Sequence, residues 1–295
     1  EQHRFGVRQR MALSKKGGAP HTIVMSATPI PRTLAFVVYG DMDISVLDEM
    51  PKNRLPVKTY LVGTEMEQRV FNFVKNFAAE GLQSYIVCPL VENEEDGLDL
   101  LAATDLAKRI AEKELFGCKV GVLHGRMKPA EKEQVMRDFS ENRIQVLVST
   151  TVIEVGVDVP NAVCMVIENA ERFGLSQLHQ LRGRVGRGDK QSFCILIAGK
   201  ASPETKQRLE VVAKTSDGFK VAEEDLKLRG PGDFFGLRQS GVPMLKMADM
   251  SGDIILLEQA KAAAAKLLES DPTLEKPQNR ALSERLARLL SEAAL

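Results

Sequence analysis

Residues 149–160 read STTVIEVGVDVP and directly follow an apolar run, Ile144 to Val148. A short apolar run of this kind predicts a strand that is buried on both faces of a parallel sheet. The hydroxyl and acidic side chains after it would then lie at the carboxyl end of a strand, where open α/β sheets bind their ligands. The stretch therefore predicts a ligand site on a parallel sheet.

Residues 180–188 read QLRGRVGRG and place Arg184 and Arg187 three positions apart among glycines. Glycine lets the backbone approach a ligand closely. Two guanidinium groups at this spacing suit a polyphosphate and the charge that develops on a transferred γ-phosphoryl group. The alternative is that both arginines neutralise acids on the surface. The stretch at 149–160, just upstream, favours the phosphate interpretation.

The surrounding sequence predicts a regular alternation of strands and helices. The predicted strands are at 57–62, 84–88, 119–123, 144–149, 162–167 and 193–197, and the predicted helices are at 65–80, 102–115, 129–139 and 176–181. Such alternation implies right-handed crossovers and a parallel sheet covered on both faces. We expect one α/β domain at 51–200, preceded at 1–50 by the end of another domain and followed at 201–295 by a helical extension.

Composition excludes few functions. Lysine plus arginine and aspartate plus glutamate number 40 each, so any basic surface must be local. The cysteines lie far apart in or beside apolar runs, which indicates reduced core thiols; they are Cys88, Cys118, Cys164 and Cys194. No apolar run is long enough to cross a membrane, so we expect no membrane partner and a cytoplasmic location.

The two quoted stretches resemble motifs V and VI of superfamily 2 helicases, in which a second RecA-like domain supplies arginine fingers to ATP held by the first. The resemblance implies a RecA-like, P-loop NTPase-like fold and catalytic roles for Arg184 and Arg187. It also implies that Gln180, Gly156 and Asp158 bind or sense the nucleotide. An ordinary structural role for Asp158 would be to cap a turn and orient the arginines.

The first 30 residues carry two further resemblances. Ser26-Ala27-Thr28-Pro29 resembles motif III, which implies that Ser26 and Thr28 couple the state of ATP to domain movement; alone it would be a strand-to-helix turn. Glu1-Gln2-His3 resembles the end of motif II, which implies that Glu1 orients the attacking water.

Two parts of an ATP site are missing from the sequence. The chain lacks the motif II aspartate that would hold the metal ion, and it has no G-x-x-x-x-G-K-[ST] phosphate loop. The chain looks like a piece of something longer. We therefore expect ATP and Mg²⁺ in the intact protein, but no bound metal or nucleotide, and no ATP hydrolysis, for these residues alone.

A second set of residues predicts contact with nucleic acid. His124-Gly125-Arg126 follows a predicted strand and resembles the H-G motif of helicases, whose loop lies against the nucleic-acid backbone; alone it would be a turn before a helix. The resemblance implies that His124 and Arg126 contact DNA. The hydroxyls of Thr150 and Thr151 could likewise donate to phosphate, a contact that positions a strand without reading its sequence.

Residues 218–241, GFKVAEEDLKLRGPGDFFGLRQSG, predict a helix that ends at glycine and proline, then a glycine- and aromatic-rich loop at 234–241 that we expect to be mobile. They resemble the helical hairpin and loop that couple ATP hydrolysis to movement on duplex DNA in translocases of this superfamily. The resemblance implies coupling roles for Glu223, Arg229, Arg238 and Gln239.

The favoured function is a DNA helicase that remodels stalled forks and Holliday junctions. It would act in the bacterial cytoplasm, at the nucleoid, as a monomer, with branched or duplex DNA and a single-stranded-DNA-binding protein as candidate partners. Two alternatives remain open. One is the motor of a transcription-repair coupling factor, and the other, for these residues alone, is a non-catalytic module that binds DNA or a partner.

Residues 249–295 predict two amphipathic helices separated by Asp271-Pro272. Leu282, Leu286, Leu289 and Leu290 form a stripe on the second helix, a spacing typical of core packing. We expect both helices to fold back on the α/β domain.

Overall fold

A computed structural model of the chain describes residues 54–89, 98–150, 158–229 and 254–293, with a few single residues between 21 and 49. The described residues divide into two compact units. The first contains those up to Pro29 and from Glu49 to Val221, and the second contains those between Ile30 and Asp48 and from Ala222 onward. The domain bounds at 50 and 200 stay predictions.

A six-stranded sheet forms the centre of the first unit, and all its neighbouring strands pair in parallel. Its strands are β1 (Lys58–Gly63), β2 (Gln83–Val87), β3 (Val120–Leu123), β4 (Val146–Ser149), β5 (Ala162–Ile167) and β6 (Phe193–Ala198). Their order across the sheet is β1-β6-β5-β2-β4-β3. The parallel α/β sheet predicted from the alternation is confirmed.

Eight α-helices lie in the described residues. They are α1 (Glu67–Ala79), α2 (Leu98–Glu112), α3 (Pro129–Ser140), α4 (Leu175–Arg182), α5 (Pro203–Lys214), α6 (Gly218–Arg229), α7 (Ile254–Ser270) and α8 (Arg280–Ala293). The first three connect successive strands of the sheet, and α4 connects β5 to β6. The predicted helices and strands in these parts are confirmed, with ends that differ by a few residues.

Helix α5 was not predicted as a separate element. Its start carries a clear signal, because the side chain of Ser202 accepts a hydrogen bond from the amide of Thr205 and Pro203 occupies the first turn. Leu209 and Val212 are its buried residues. The helix packs against β1 and α4, and thereby covers the sheet next to the predicted phosphate site.

The core has two layers because alternate strand residues face opposite sides of the sheet. Tyr85, Leu147 and Met165 belong to the layer that includes Phe139 of α3 and Leu178 of α4. The next residue of each strand belongs to the other layer, which also includes residues of α1 and α2. These strand residues are Ile86, Val148 and Val166. Both faces of the sheet are thus covered by helices, as the buried strands require.

The amino-terminal edge of the sheet is closed by a fully buried amide. Gln83 donates to the carbonyl of Phe139 at 2.5 Å and to that of Ile144 at 2.7 Å, and it accepts from the side chain of Asn161 at 3.2 Å. A buried amide requires such partners. Gln83, at the start of β2, is therefore joined to the end of α3 and to the residues that precede β4 and β5.

The second unit contains a helical pair joined at Asp271, as predicted. The buried carboxylate of Asp271 accepts from the amides of Glu275 and Lys276 and from the side chain of Asn279 at 2.7 Å. These hydrogen bonds hold the pKa of Asp271 below its usual value. The connection between α7 and α8 is therefore held by hydrogen bonds to the carboxylate of Asp271.

The prediction of core packing for the leucine stripe is wrong at two positions. Leu282 and Leu286 on α8 are 49% and 45% exposed. Periodicity identifies the apolar face of a helix but does not say what covers it. The side chains of Leu289 and Leu290 lie outside the described residues, and the packing of both helices on the α/β domain stays a prediction.

The four cysteines are free thiols, as predicted, and three of them are buried. Burial raises the pKa of Cys88 and of Cys194 to about 12, so these thiols are inert at neutral pH. Within the described parts of the chain, no helix has both the length and the apolar character needed to cross a bilayer.

Candidate functional site

The loops at the carboxyl edge of the sheet are joined by backbone hydrogen bonds. The amide of Thr150 donates to the carbonyl of Leu123, the amide of Cys88 to that of Ser149, and the amide of Glu168 to that of Val87. The ends of β2, β3, β4 and β5 are therefore held side by side. This arrangement brings the predicted DNA-binding residues His124 and Thr150 together.

The loop between β3 and α3, residues 124–128, has a cationic surface and is called the His124 loop. Lys132 donates to the carbonyl of Gly125 at 2.6 Å, and Arg126 is exposed. The pKa of His124 is lowered, first by burial and then by Lys132 and Arg126, although Glu131 opposes this. The imidazole is therefore neutral at pH 7 while the loop around it carries positive charge.

Three buried polar atoms of this edge lack a hydrogen-bond partner among the described residues. They are Nδ1 of His124, the hydroxyl of Thr150 and Oε1 of Glu168. A buried polar atom without a partner is unfavourable, so such atoms mark places where a ligand or water completes the site. Thr150 is itself buried, so a phosphate that contacts its hydroxyl must reach below the surface of the edge.

The arginine loop, residues 183–188, follows α4 at its carboxyl end. The Nε atom of Arg187 donates to the carbonyl of Gly183 at 3.3 Å, and its NH1 atom lies 3.4 Å from the Asp158 carboxylate. About a third of the Arg187 side chain is exposed, at 35%. The structure thus unites Arg187 and Asp158, two residues that the sequence separates by 29 positions.

The glycines of the loop are there for two separate reasons. Gly186 has a φ of +74°, and a Cβ atom there would lie 2.8 Å from a methyl group of Val57. A Cβ atom at Gly188 would lie 2.7 Å from the carbonyl oxygen of Pro160. The loop therefore packs tightly against the segments that precede β1 and β5.

A buried tyrosine lies within electrostatic reach of the loop. Burial raises the pKa of Tyr85 to about 12, while Arg184 and Arg187 act to lower it and Asp158 to raise it. Tyr85 packs on Phe139 with ring centroids 4.8 Å apart. The charged groups of the loop are therefore close enough to Tyr85 on β2 to influence its pKa.

Comparison with known proteins follows the same division of the chain. Residues 67–189 match the helicase conserved C-terminal domain, and residues 215–293 match the C-terminal part of domain 3 of the ATP-dependent DNA helicase RecG. The RecG of Bacillus subtilis (strain 168) is 52% identical over 286 residues, which are 97% of this chain and 42% of that protein. Almost the whole chain is therefore similar to part of RecG.

Other RecG proteins agree with this assignment. The RecG of Thermotoga maritima is 51% identical over 261 residues, which cover 88% of this chain and 33% of that protein. A structure of RecG bound to a three-way DNA junction matches with a TM-score of 0.67 and 46% identity, over 88% of this chain and 32% of that one. The RecA-like helicase fold is confirmed. The chain spans a third to two fifths of the length of these relatives.

Arg182, in the stretch that resembles motif VI, makes contacts that the sequence alone does not predict. Arg182 is only 5% exposed, and its NH1 atom donates at 2.7 Å to the carbonyls of both Val212 and Thr215. Its NH2 atom lies 2.9 Å from Nδ1 of His179, whose pKa is lowered to about 4 by burial and then by Arg182. Arg182 therefore ties α4 to the carboxyl end of α5.

Helix α6 begins three residues after Thr215 and carries two of the predicted coupling residues. The side chain of Asp217 accepts from the amides of Phe219 and Lys220, which caps the helix. Glu223 is exposed on α6. Arg229 ends the helix, but its side chain lies outside the described residues.

The remaining predicted residues divide into two groups. Gln180 and Arg184 are half-buried, on α4 and in the arginine loop. Seven residues, and the loop at 234–241, lie outside the described residues, so their roles stay predictions; the residues are Glu1, Ser26, Thr28, Thr151, Gly156, Arg238 and Gln239.

The part of the chain that is described contains no group of acidic, histidine or cysteine side chains that could hold a metal ion.

Proposed function

We propose that these residues form part of an ATP-dependent DNA helicase that remodels branched DNA, such as stalled forks and Holliday junctions, in recombination and repair. One observation carries the proposal: most of the chain matches, at 46% identity, a RecG whose structure contains a three-way DNA junction. The same match favours this function over the motor of a transcription-repair coupling factor.

In this proposal Arg184 and Arg187 stabilise the negative charge that develops on the γ-phosphoryl group of ATP. Fixed cationic donors are effective because they need no rearrangement as the charge develops. The contacts of Arg187 with the Gly183 carbonyl and Asp158 support this role, since they hold the guanidinium in place before ATP arrives. Gln180, one helical turn before Arg184, would sense the nucleotide.

DNA would be held by its phosphates at the ends of β3 and β4. The exposed Arg126 and the nearby Lys132 supply positive charge, and neutral His124 and Thr150 supply donors with no other partner among the described residues. Such contacts position a strand without reading its sequence, as a translocase requires. Thr151, the residue after Thr150, would also donate to a DNA phosphate.

Arg182 supports the coupling of hydrolysis to movement. Because it joins α4 to the Val212 and Thr215 carbonyls, a shift of the arginine loop would be passed to the start of α6. Helix α6 carries Glu223 and Arg229, and the loop after it carries Arg238 and Gln239. These four residues would convert the shift into a stroke on duplex DNA.

The phosphate loop and the motif II aspartate would come from elsewhere in the protein. Mg²⁺ would neutralise phosphate charge when bound, and Glu1 would orient the attacking water. Because the sequence holds neither the phosphate loop nor the motif II aspartate, we propose that residues 1–295 alone do not hydrolyse ATP. We further propose a cytoplasmic monomer that works with a single-stranded-DNA-binding protein.

The test is ATP hydrolysis by the full-length protein, with and without a model fork. Fork DNA should stimulate hydrolysis, and Arg187→Ala should lower kcat by at least about 10³-fold. Gln239→Ala should keep hydrolysis but lose unwinding. The control Arg137→Ala removes an exposed arginine of α3 and should change neither. If fork DNA has no effect on hydrolysis, the motor function is refuted.

A further inference from the structure

We propose that Arg54 is a positioning residue for the arginine loop. The inference rests on the proposed function, because it concerns how accurately Arg184 and Arg187 are placed for ATP hydrolysis. Arg54 itself would touch neither ATP nor DNA. It would act by fixing the backbone between the two arginines.

The geometry of Arg54 is specific to that backbone. Its Nε atom donates to the carbonyl of Gly186 at 2.8 Å, and its NH2 atom donates to the carbonyl of Val185 at 3.4 Å. Val185 and Gly186 are the two residues between Arg184 and Arg187. A contact across 132 positions of sequence is therefore directed at the centre of the arginine loop.

The chemistry of the contact explains why arginine occupies this position. A guanidinium carries several donors in a rigid fork and no acceptor, so it can engage two successive carbonyls at once. Hydrogen bonds from a charged donor are stronger than those between neutral groups. The half-buried location of Arg54 reduces competition from water.

The segment that carries Arg54 is itself anchored to the strand after the loop. The side chain of Gln191 donates to the carbonyl of Pro56 at 2.8 Å, and the amide of Lys58 donates to the carbonyl of Ser192 at 3.0 Å. A methyl group of Val57 lies 2.8 Å from the position that a Cβ atom on Gly186 would take. Residues 54–58 therefore form a fixed support beside the loop, continuous with β1.

Such a support has a functional consequence because the loop is rich in glycine. Gly183, Gly186 and Gly188 leave its backbone few intrinsic restraints. An arginine that stabilises a transition state must be held close to its productive position, and an error of about 1 Å can cost about 10²-fold in rate. Arg54 adds a directed restraint to the packing of Gly186 and Gly188.

The experiment measures kcat and KM for ATP in the full-length protein with fork DNA. Arg54→Ala should lower kcat by roughly 10- to 100-fold and leave KM within about twofold, since the placement of the arginines matters most in the transition state. Arg54→Lys should recover at least about threefold of the loss, because an ammonium group can still donate to one carbonyl.

Gln191→Ala is the matched control. It removes a hydrogen bond of similar length to the same segment, at Pro56, but does not touch the carbonyls between the arginines. Its kcat should stay within about twofold of the wild-type value. Thermal unfolding of all three variants shows whether they are folded, and Arg54→Lys remains informative if Arg54→Ala does not fold.

The outcomes separate this inference from the function on which it rests. If Arg187→Ala abolishes hydrolysis but Arg54→Ala keeps the wild-type kcat, the positioning role is refuted and the motor function stands. Equal losses in Arg54→Ala and Gln191→Ala would also refute it, because they would indicate general loosening of the segment. If the wild-type protein shows no DNA-stimulated hydrolysis, the proposed function fails first.

Discussion

Replacement of Arg182 by methionine tests how strongly α4 is tied to the end of α5. The guanidinium is buried and donates to the carbonyls of Val212 and Thr215, each at 2.7 Å. Methionine fills much of the same space but has no donor. The Arg182→Met variant therefore leaves two carbonyls at the carboxyl end of α5 without this partner.

The size of the effect follows from these two bonds. A hydrogen bond from a charged donor contributes about 1.5–3 kcal/mol, and the cost of burying the guanidinium offsets part of that. We expect the free energy of unfolding to fall by about 2–4 kcal/mol. In a chain of this size, 1 kcal/mol changes Tm by about 2–4 °C, so Tm should fall by about 4–16 °C.

The assay combines thermal unfolding with an NMR titration of His179. Because Arg182 contributes to the lowered pKa of His179, the variant should raise that pKa from about 4, while burial still keeps it below the usual value. Arg137→Met, which removes an exposed pair with Glu133, is the control and should change Tm by less than about 2 °C. If Arg182→Met has the same Tm as the control, the claim that Arg182 stabilises the contact between α4 and the end of α5 is refuted.

Two further predictions concern the free energy of unfolding, measured with urea. Gly186→Ala should lower the free energy of unfolding by about 2–3 kcal/mol, because alanine is strained at φ +74° and its methyl group would meet Val57. Gly117→Ala is the control: its φ is +91° but the space around it is open, so it should lose only the part of the stability that is due to strain. Burial raises the pKa of Glu168 to about 7. The folded protein therefore retains a proton that the unfolded chain releases near pH 4.5. The stability that this bound proton contributes is lost as the pH rises from 4.5 to 7. Glu168→Gln should therefore be more stable than the wild type at pH 8, by about 1–3 kcal/mol, and no more stable at pH 4.5; equal differences at both pH values would contradict the assignment.

The fold could be predicted because its signals are local. The buried strands are short apolar runs, and their alternation with amphipathic helices allows few arrangements other than a covered parallel sheet. The place of His124 beside Thr150 also follows, because each residue comes directly after a strand and the carboxyl ends of parallel strands lie at one edge. Helix α5 carried an equally local signal at Ser202 and Pro203 and could have been predicted.

The stripe on α8 shows where a local pattern stops being informative. The spacing of Leu282 and Leu286 correctly predicts a helix with an apolar face, but burial depends on an element that lies elsewhere in the chain. In the structure both side chains are about half exposed. A periodic pattern therefore predicts the helix more reliably than it predicts the packing of that helix.

The contacts of Arg54 and Arg182 could not be predicted from the sequence for a different reason. Both side chains donate to backbone carbonyls, and every residue has a carbonyl, so the partner leaves no trace in residue type. Arg54 holds the arginine loop at its centre, and Arg182 ties the helix before the loop to α5. The motif supplies the two arginines that would meet phosphate, while residues without any motif of their own determine how firmly those arginines are held. The rigidity of the site is thus a property of the folded chain, and only the contacts across the fold reveal it.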